Sequence, residues 1–135
     1  MALFSWSEKY SLGIPSIDAQ HQKLVGMINT LHEAMKAEKS EEVLAGILDG
    51  MAQYAQEHFT YEEGLLAQAQ YPELESHKVI HDSFVKKALA LAEQFKEGNK
   101  VLTIETRNFL KDWLQGHILG EDKKYVAHLK AKGIT

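Results

Sequence analysis

A chain of 135 residues with 44% apolar and 25% charged residues has the length of one domain and the balance of globular sequence, which excludes disorder as the main state. Fifteen basic residues against nineteen acidic ones give a net charge of −4, poor footing for a nucleic-acid partner, and the lack of cysteine excludes disulfides, thiolate zinc sites, iron–sulfur clusters and cysteine nucleophiles. No basic leader precedes an apolar run, and no stretch approaches the ~18 apolar residues that cross a bilayer, so the expectation is a cytoplasmic protein with no membrane contact.

Residues 1–15 contain Gly13 and Pro15 and lack helical periodicity, which predicts an extended arm anchored by Trp6. A first helix is expected from about Ile17, capped by Ser16 or Asp18, with His21, Leu24, Val25, Ile28, Leu31, His32 and Met35 along one buried stripe. After a charged link at Lys36 to Lys39, Ser40 caps a second helix from Glu41 to Gln68 whose inward face carries Leu44, Ile47, Leu48, Met51, Ala55, His58, Glu62 and Leu65. Ala69 to Pro72 is a break. A third helix, Glu73 to Lys96, turns His77, His81, Phe84, Ala88, Leu91 and Phe95 inward and stops at Gly98 and Asn99. A fourth, Thr103 to Leu119, carries Leu110, Trp113, Leu114 and His117, and Gly120 is expected to interrupt it. The tail from Glu121 to Lys132 reads as a short helix that docks Tyr125 and Leu129. No segment reads as a strand. The fold class is therefore all-α: an up-down-up-down antiparallel four-helix bundle with an extended N-terminal arm and a short C-terminal helix, one domain over residues 1–135.

The seven histidines are the compositional outlier, and the topology sets their heights. At a rise of ~1.5 Å per residue, His21, His58, Glu62, His77, His81 and His117 fall on inward faces within ~15 Å of one end of such a bundle. His32 lies ~22 Å down and is expected to be a buried, hydrogen-bonded core residue. His58 and Glu62, and His77 and His81, are i, i+4 pairs that point the same way. Asp122 follows His117 by five residues, which on an unbroken α-helix turns it ~140° away, so a bend at Gly120 is the route by which it returns. Five imidazoles and two carboxylates exceed the needs of one ion and suit two. Mixed nitrogen and oxygen donors suit iron, manganese, zinc or copper, and seven ligands plus a bridge favour iron. Glu63, ~100° round the helix from Glu62, reads as solvated or as a support behind the ligands. His128 reads as exposed or packing.

The segments Asp18-Ala19-Gln20-His21, His58-Phe59-Thr60-Tyr61-Glu62-Glu63, His77-Lys78-Val79-Ile80-His81 and Trp113-Leu114-Gln115-Gly116-His117-Ile118-Leu119-Gly120-Glu121-Asp122 together resemble the hemerythrin family in its single-domain bacterial form. The resemblance implies that His77, His81 and His117 hold one iron and His21 and His58 the other. Glu62, Asp122 and an oxo or hydroxo group would bridge them, leaving the two-histidine iron an open position for O2. It also makes Leu24, Phe59, Trp113, Leu114 and Ile118, beside the ligands, the wall of the oxygen pocket. The four-glutamate pattern with two E-x-x-H motifs of ferritin-like proteins is absent, as is H-E-x-x-H. The implied function is reversible O2 binding for storage, transport or delivery, with no catalytic residue. Two other classes stay open at this point: a di-iron oxidase, peroxidase or nitric oxide reductase, and an oxygen or redox sensor working through a protein partner. The apolar wall favours the carrier, because turnover needs protons delivered to the bound oxygen.

Overall fold

The short connections and long apolar stripes give four helices that each neighbour two others. In the computed structural model, which describes residues 4–97 and 102–134, they are α1 (Pro15–Lys36), α2 (Glu41–Gln68), α3 (Leu74–Lys96) and α4 (Leu102–Gly116), with a fifth, α5 (Lys123–Ala131), after them. α2 packs between α1 and α3, and α4 closes the bundle against both α1 and α3. This is the expected all-helical four-helix bundle. No helix among the described residues is long and apolar enough to cross a membrane.

The helix ends differ from the sequence expectation in instructive ways. α1 starts on Pro15, whose fixed φ and missing N–H suit a first turn, so no side chain caps it. Asp18 instead ties down the arm, accepting from Ser11 Oγ at 2.6 Å and from the Leu12 amide at 2.8 Å. Ser40 caps α2 by accepting from the Val43 amide at 3.3 Å. Gln70, in the left-handed region at φ 56°, turns the chain out of α2 ahead of Pro72. The expected stop at Gly98 and Asn99 lies outside the described residues.

Trp6 packs against the core as expected, but two other rings of the arm are buried more deeply. Phe4 and Tyr10 are 2% and 3% exposed, whereas Trp6 is only half-buried and leans on Tyr10 at 5.6 Å. An indole at the rim keeps its N–H in water, while Phe4 has no polar atom on its ring to satisfy. Asn29 clasps the Phe4 backbone from both sides, accepting at 3.0 Å and donating at 2.8 Å. Gly13 needs its residue type, because its φ of 73° is strained for any side chain and a Cβ would sit 2.8 Å from Lys130 Nζ.

Two histidines stay outside the cluster. His32 is half-buried rather than buried, and Arg107 of α4 reaches across to within 3.4 Å of its Nδ1. His128 of α5 donates to the Ala69 carbonyl at 2.6 Å, satisfying an acceptor that the end of α2 leaves free.

Candidate metal centre

Seven side chains from every wall of the bundle converge near one end. His21 comes from α1, His58 and Glu62 from α2, His77 and His81 from α3, and His117 and Asp122 from the segment that follows α4. All seven are at most 5% exposed. Asp122 arrives by a route the sequence reading did not foresee. Gly120 neither breaks the helix nor adopts a positive φ. Residues His117–Asp122 form one wide π-helical turn joining α4 to α5. Closing rings from i to i+5 rather than i+4 puts residues five apart on one face. His117 and Asp122 are five apart, and their side chains meet at 3.0 Å. A bend at the glycine is unnecessary, because widening the turn supplies the missing rotation.

The carboxylate oxygens divide the histidines into two sets. Glu62 Oε1 lies 2.8 Å from His77 Nε2 and 3.3 Å from His81 Nε2, and its Oε2 lies 3.3 Å from His58 Nε2 and 3.8 Å from His21 Nε2. Asp122 repeats the division. Its Oδ1 is 3.2 Å from His77 and 3.0 Å from His117, and its Oδ2 is 3.2 Å from His21. Donor atoms of Glu62, His77, His81, His117 and Asp122 all lie within 4.8 Å of one another, and those of His21, His58 and Glu62 form a second such group. The resemblance implies a division of the histidines into these two sets.

Electrostatics marks the cluster as a cation site. Burial alone would push both carboxyls up. The surrounding imidazoles win, holding Glu62 well below the ordinary carboxylate range and Asp122 below it too, beside His117 and His21. Burial works against charge on His21 and His77, yet the adjacent carboxylates of Asp122 and Glu62 lift both to about 9. Burial dominates at His58 and lowers it. Among the buried polar atoms, both His21 nitrogens, Glu62 Oε2, His117 Nδ1 and both Asp122 oxygens have no hydrogen-bond partner. Native interiors seldom leave so many polar atoms unmatched in one place. Mixed imidazole and carboxylate donors that face one another without partners fit a pair of transition-metal ions.

A pH dependence follows. In the metal-free fold His21 and His77 are protonated at pH 7, since both sit at about 9. Their raised values contribute stability fully present below the ordinary ~6.5 and lost as pH rises through about 9. Metal ligation requires neutral imidazoles, so ion uptake at pH 7 should expel protons and tighten as pH climbs toward 9. Calorimetry in two buffers of different ionisation enthalpy measures the protons released. Uptake that releases none contradicts the assignment.

The surrounding shell was partly legible. Phe59 stacks on His81 with centroids 3.8 Å apart, and Trp113 stacks on His117 at 4.3 Å. Leu24, Phe59, Trp113 and Leu114 line a cavity of about 10 Å³ that continues down the bundle between Met51, Ala55 and Leu110. Ile118, expected on the same wall, is fully buried but does not line that cavity. It follows His117 by one residue, which turns its side chain ~100° round the helix from that ligand. Glu63 accepts from His81 Nδ1–H at 2.8 Å, and Gln20 accepts from His58 Nδ1–H at 2.6 Å. Sequence reasoning missed Gln20, though its place next to His21 was the available signal. Tyr125 is fully buried 5.6 Å from the His77 ring, and burial together with the charges of Asp122 and Glu62 pushes its phenol far up.

Comparison with known proteins agrees with this geometry. Residues 12–129 match the hemerythrin HHE cation-binding domain. Bacteriohemerythrin of Stenotrophomonas maltophilia is 34% identical over 131 residues, covering 97% of this chain and 84% of that one. Bacteriohemerythrin of Clostridium acetobutylicum is also 34% identical, over 92% of this chain and 99% of its own. The crystal structure of wild-type hemerythrin superposes with a TM-score of 0.86 at 29% identity, over 95% of this chain and 98% of that one.

Proposed function

The chain belongs to the hemerythrin family, and from that premise we propose that it is a single oxygen-binding domain holding two iron ions and taking up O2 reversibly. The observation that carries the reading is the unequal division of donors. Three histidine nitrogens and one oxygen from each carboxylate face one position, whereas two nitrogens and one oxygen from each carboxylate face the other. His21 and His58 thus serve the poorer position, which is where a small ligand has room to bind. Two irons so held supply the electrons that O2 needs in order to bind.

The chain's own residues set the outcome. Glu62 and Asp122 each turn one oxygen toward either position and would hold both ions. Leu24, Phe59, Trp113 and Leu114 keep water off the site and offer no acid. A dry wall slows proton delivery, which favours retention of oxygen over its reduction. That apolar wall supports a carrier rather than an oxidase. Metal analysis of protein loaded anaerobically should find two irons per chain, and the reduced protein should take up one O2 for each pair. One iron per chain, or zinc that iron does not displace, contradicts the reading. His32→Ala should leave the iron content unchanged, since Arg107 rather than the cluster faces that ring.

A further inference from the structure

An imidazole that binds a cation through Nε2 carries its proton on Nδ1. The group accepting that N–H fixes the tautomer, aims the ring and tunes the electron density left on Nε2. In this bundle the acceptors are unequal. His81 Nδ1–H points at the Glu63 carboxylate, 2.8 Å away. His58 Nδ1–H points at the Gln20 amide oxygen, 2.6 Å away. The Nδ1 atoms of His21 and His117 are buried and have no partner. The half of the centre that has three histidines therefore also has a charged support behind one of them, while the two-histidine half has a neutral one.

We propose that Glu63 is a positioning residue that makes the three-histidine half of the centre take its ion first and hold it more tightly than the two-histidine half. The proposal rests on the two-ion reading of the cluster. Glu62 and Glu63 are adjacent on α2, so one rigid turn delivers both a ligand oxygen and the anchor of a neighbouring ligand. A carboxylate behind an N–H polarises it more than an amide does, and Nε2 becomes the stronger donor. Phe59 lies flat on the His81 ring, with planes 6° apart at 3.8 Å, and restricts its tilt. Glu63 fixes the remaining rotation within the ring plane. Its negative charge also favours a cation in that half over one beside His58. Gln20 orients His58 without adding charge, and so sets geometry in the second half without raising its affinity to match.

Cobalt(II) tests this on the whole protein without relying on oxygen chemistry. Metal-free protein is titrated anaerobically while the visible d–d bands and the paramagnetically shifted imidazole N–H resonances are followed. Wild type should bind two ions in separable steps. The N–H signals of the three-histidine set should appear after the first equivalent and those of His21 and His58 after the second. Glu63→Ala should weaken the first step by about 10–100-fold and blur the two steps together. Gln20→Ala should weaken only the second. Glu63→Gln keeps an acceptor oxygen without the charge, so it should restore the wild-type d–d band shape but not the wild-type affinity. Two steps left unchanged by Glu63→Ala, equal loss in both, or wild-type affinity in Glu63→Gln overturns the proposal while the two-ion reading survives. Uptake of a single ion by wild type overturns both.

Discussion

Glu62→Ala should empty the centre of both metal ions. Oε1 and Oε2 of this one residue approach four different histidines, at 2.8 to 3.8 Å, so no other side chain touches both halves so fully. Asp122 alone would be left to bridge, and His58 and His81 would lose their only carboxylate contact within the cluster. The loss extends to the fold. Burial opposes charge on His21 and His77, and Glu62 is one of the two carboxylates that lift them to about 9. Breaking a buried charge pair by removing one partner costs about 3–5 kcal/mol, so the metal-free variant should also melt earlier. Metal content by mass spectrometry should fall from two ions per chain to less than one. His32→Ala is the control, and a Glu62→Ala protein that keeps two tightly bound ions contradicts the bridging role.

Leu114→Ala should leave the metals in place and shorten the life of the oxygenated protein. Leu114 sits three residues before His117 and is 4% exposed, so its side chain lies one turn below that ligand on the same face. Leu24, three residues after His21 on the antiparallel α1, and Ala55, three before His58, also lie one turn below their ligands, and all three line the same small apolar cavity. Its volume is about 10 Å³, the lower limit for one water, and apart from the Trp113 indole only apolar side chains line it. Removing the leucine enlarges that space at a cost of about 2–5 kcal/mol and gives water a place beside the site. Autoxidation should quicken and small anions such as azide should enter faster. An unchanged decay of the oxygenated spectrum means that Leu114 does not shield the centre.

Much of the arrangement was readable before the structure because it follows from topology. Histidines near helix ends inherit their heights from the up-down-up-down order, and i, i+4 pairs inherit a common face, so six of the seven converging residues could be placed together from spacing alone. Asp122 could not, since its position depends on a one-residue change of hydrogen-bond register between His117 and Asp122. No local propensity marks such a turn, whereas the pull of His117, His21 and His77 on the carboxylate is a tertiary effect. Asp18 misled for a related reason. A carboxylate in a first turn can cap its own helix or hold a neighbouring loop, and only the path of the arm decides that Ser11 and Leu12 win. His32 shows the reverse limit: its stripe pointed inward, but near the end of α1 the core thins and Arg107 reaches the ring.

Reversibility is the property that separates a carrier from an enzyme built on the same ligands. Iron-loaded protein, reduced without air, is mixed with O2 in a stopped-flow cell, then flushed with argon, and its visible spectrum is followed through repeated cycles. The wall proposed at Leu24, Phe59, Trp113 and Leu114 predicts that the deoxy spectrum returns on each flush with little loss. Irreversible oxidation on the first exposure, with water or peroxide released in step with iron oxidation, would contradict the assignment of this bundle as an oxygen carrier.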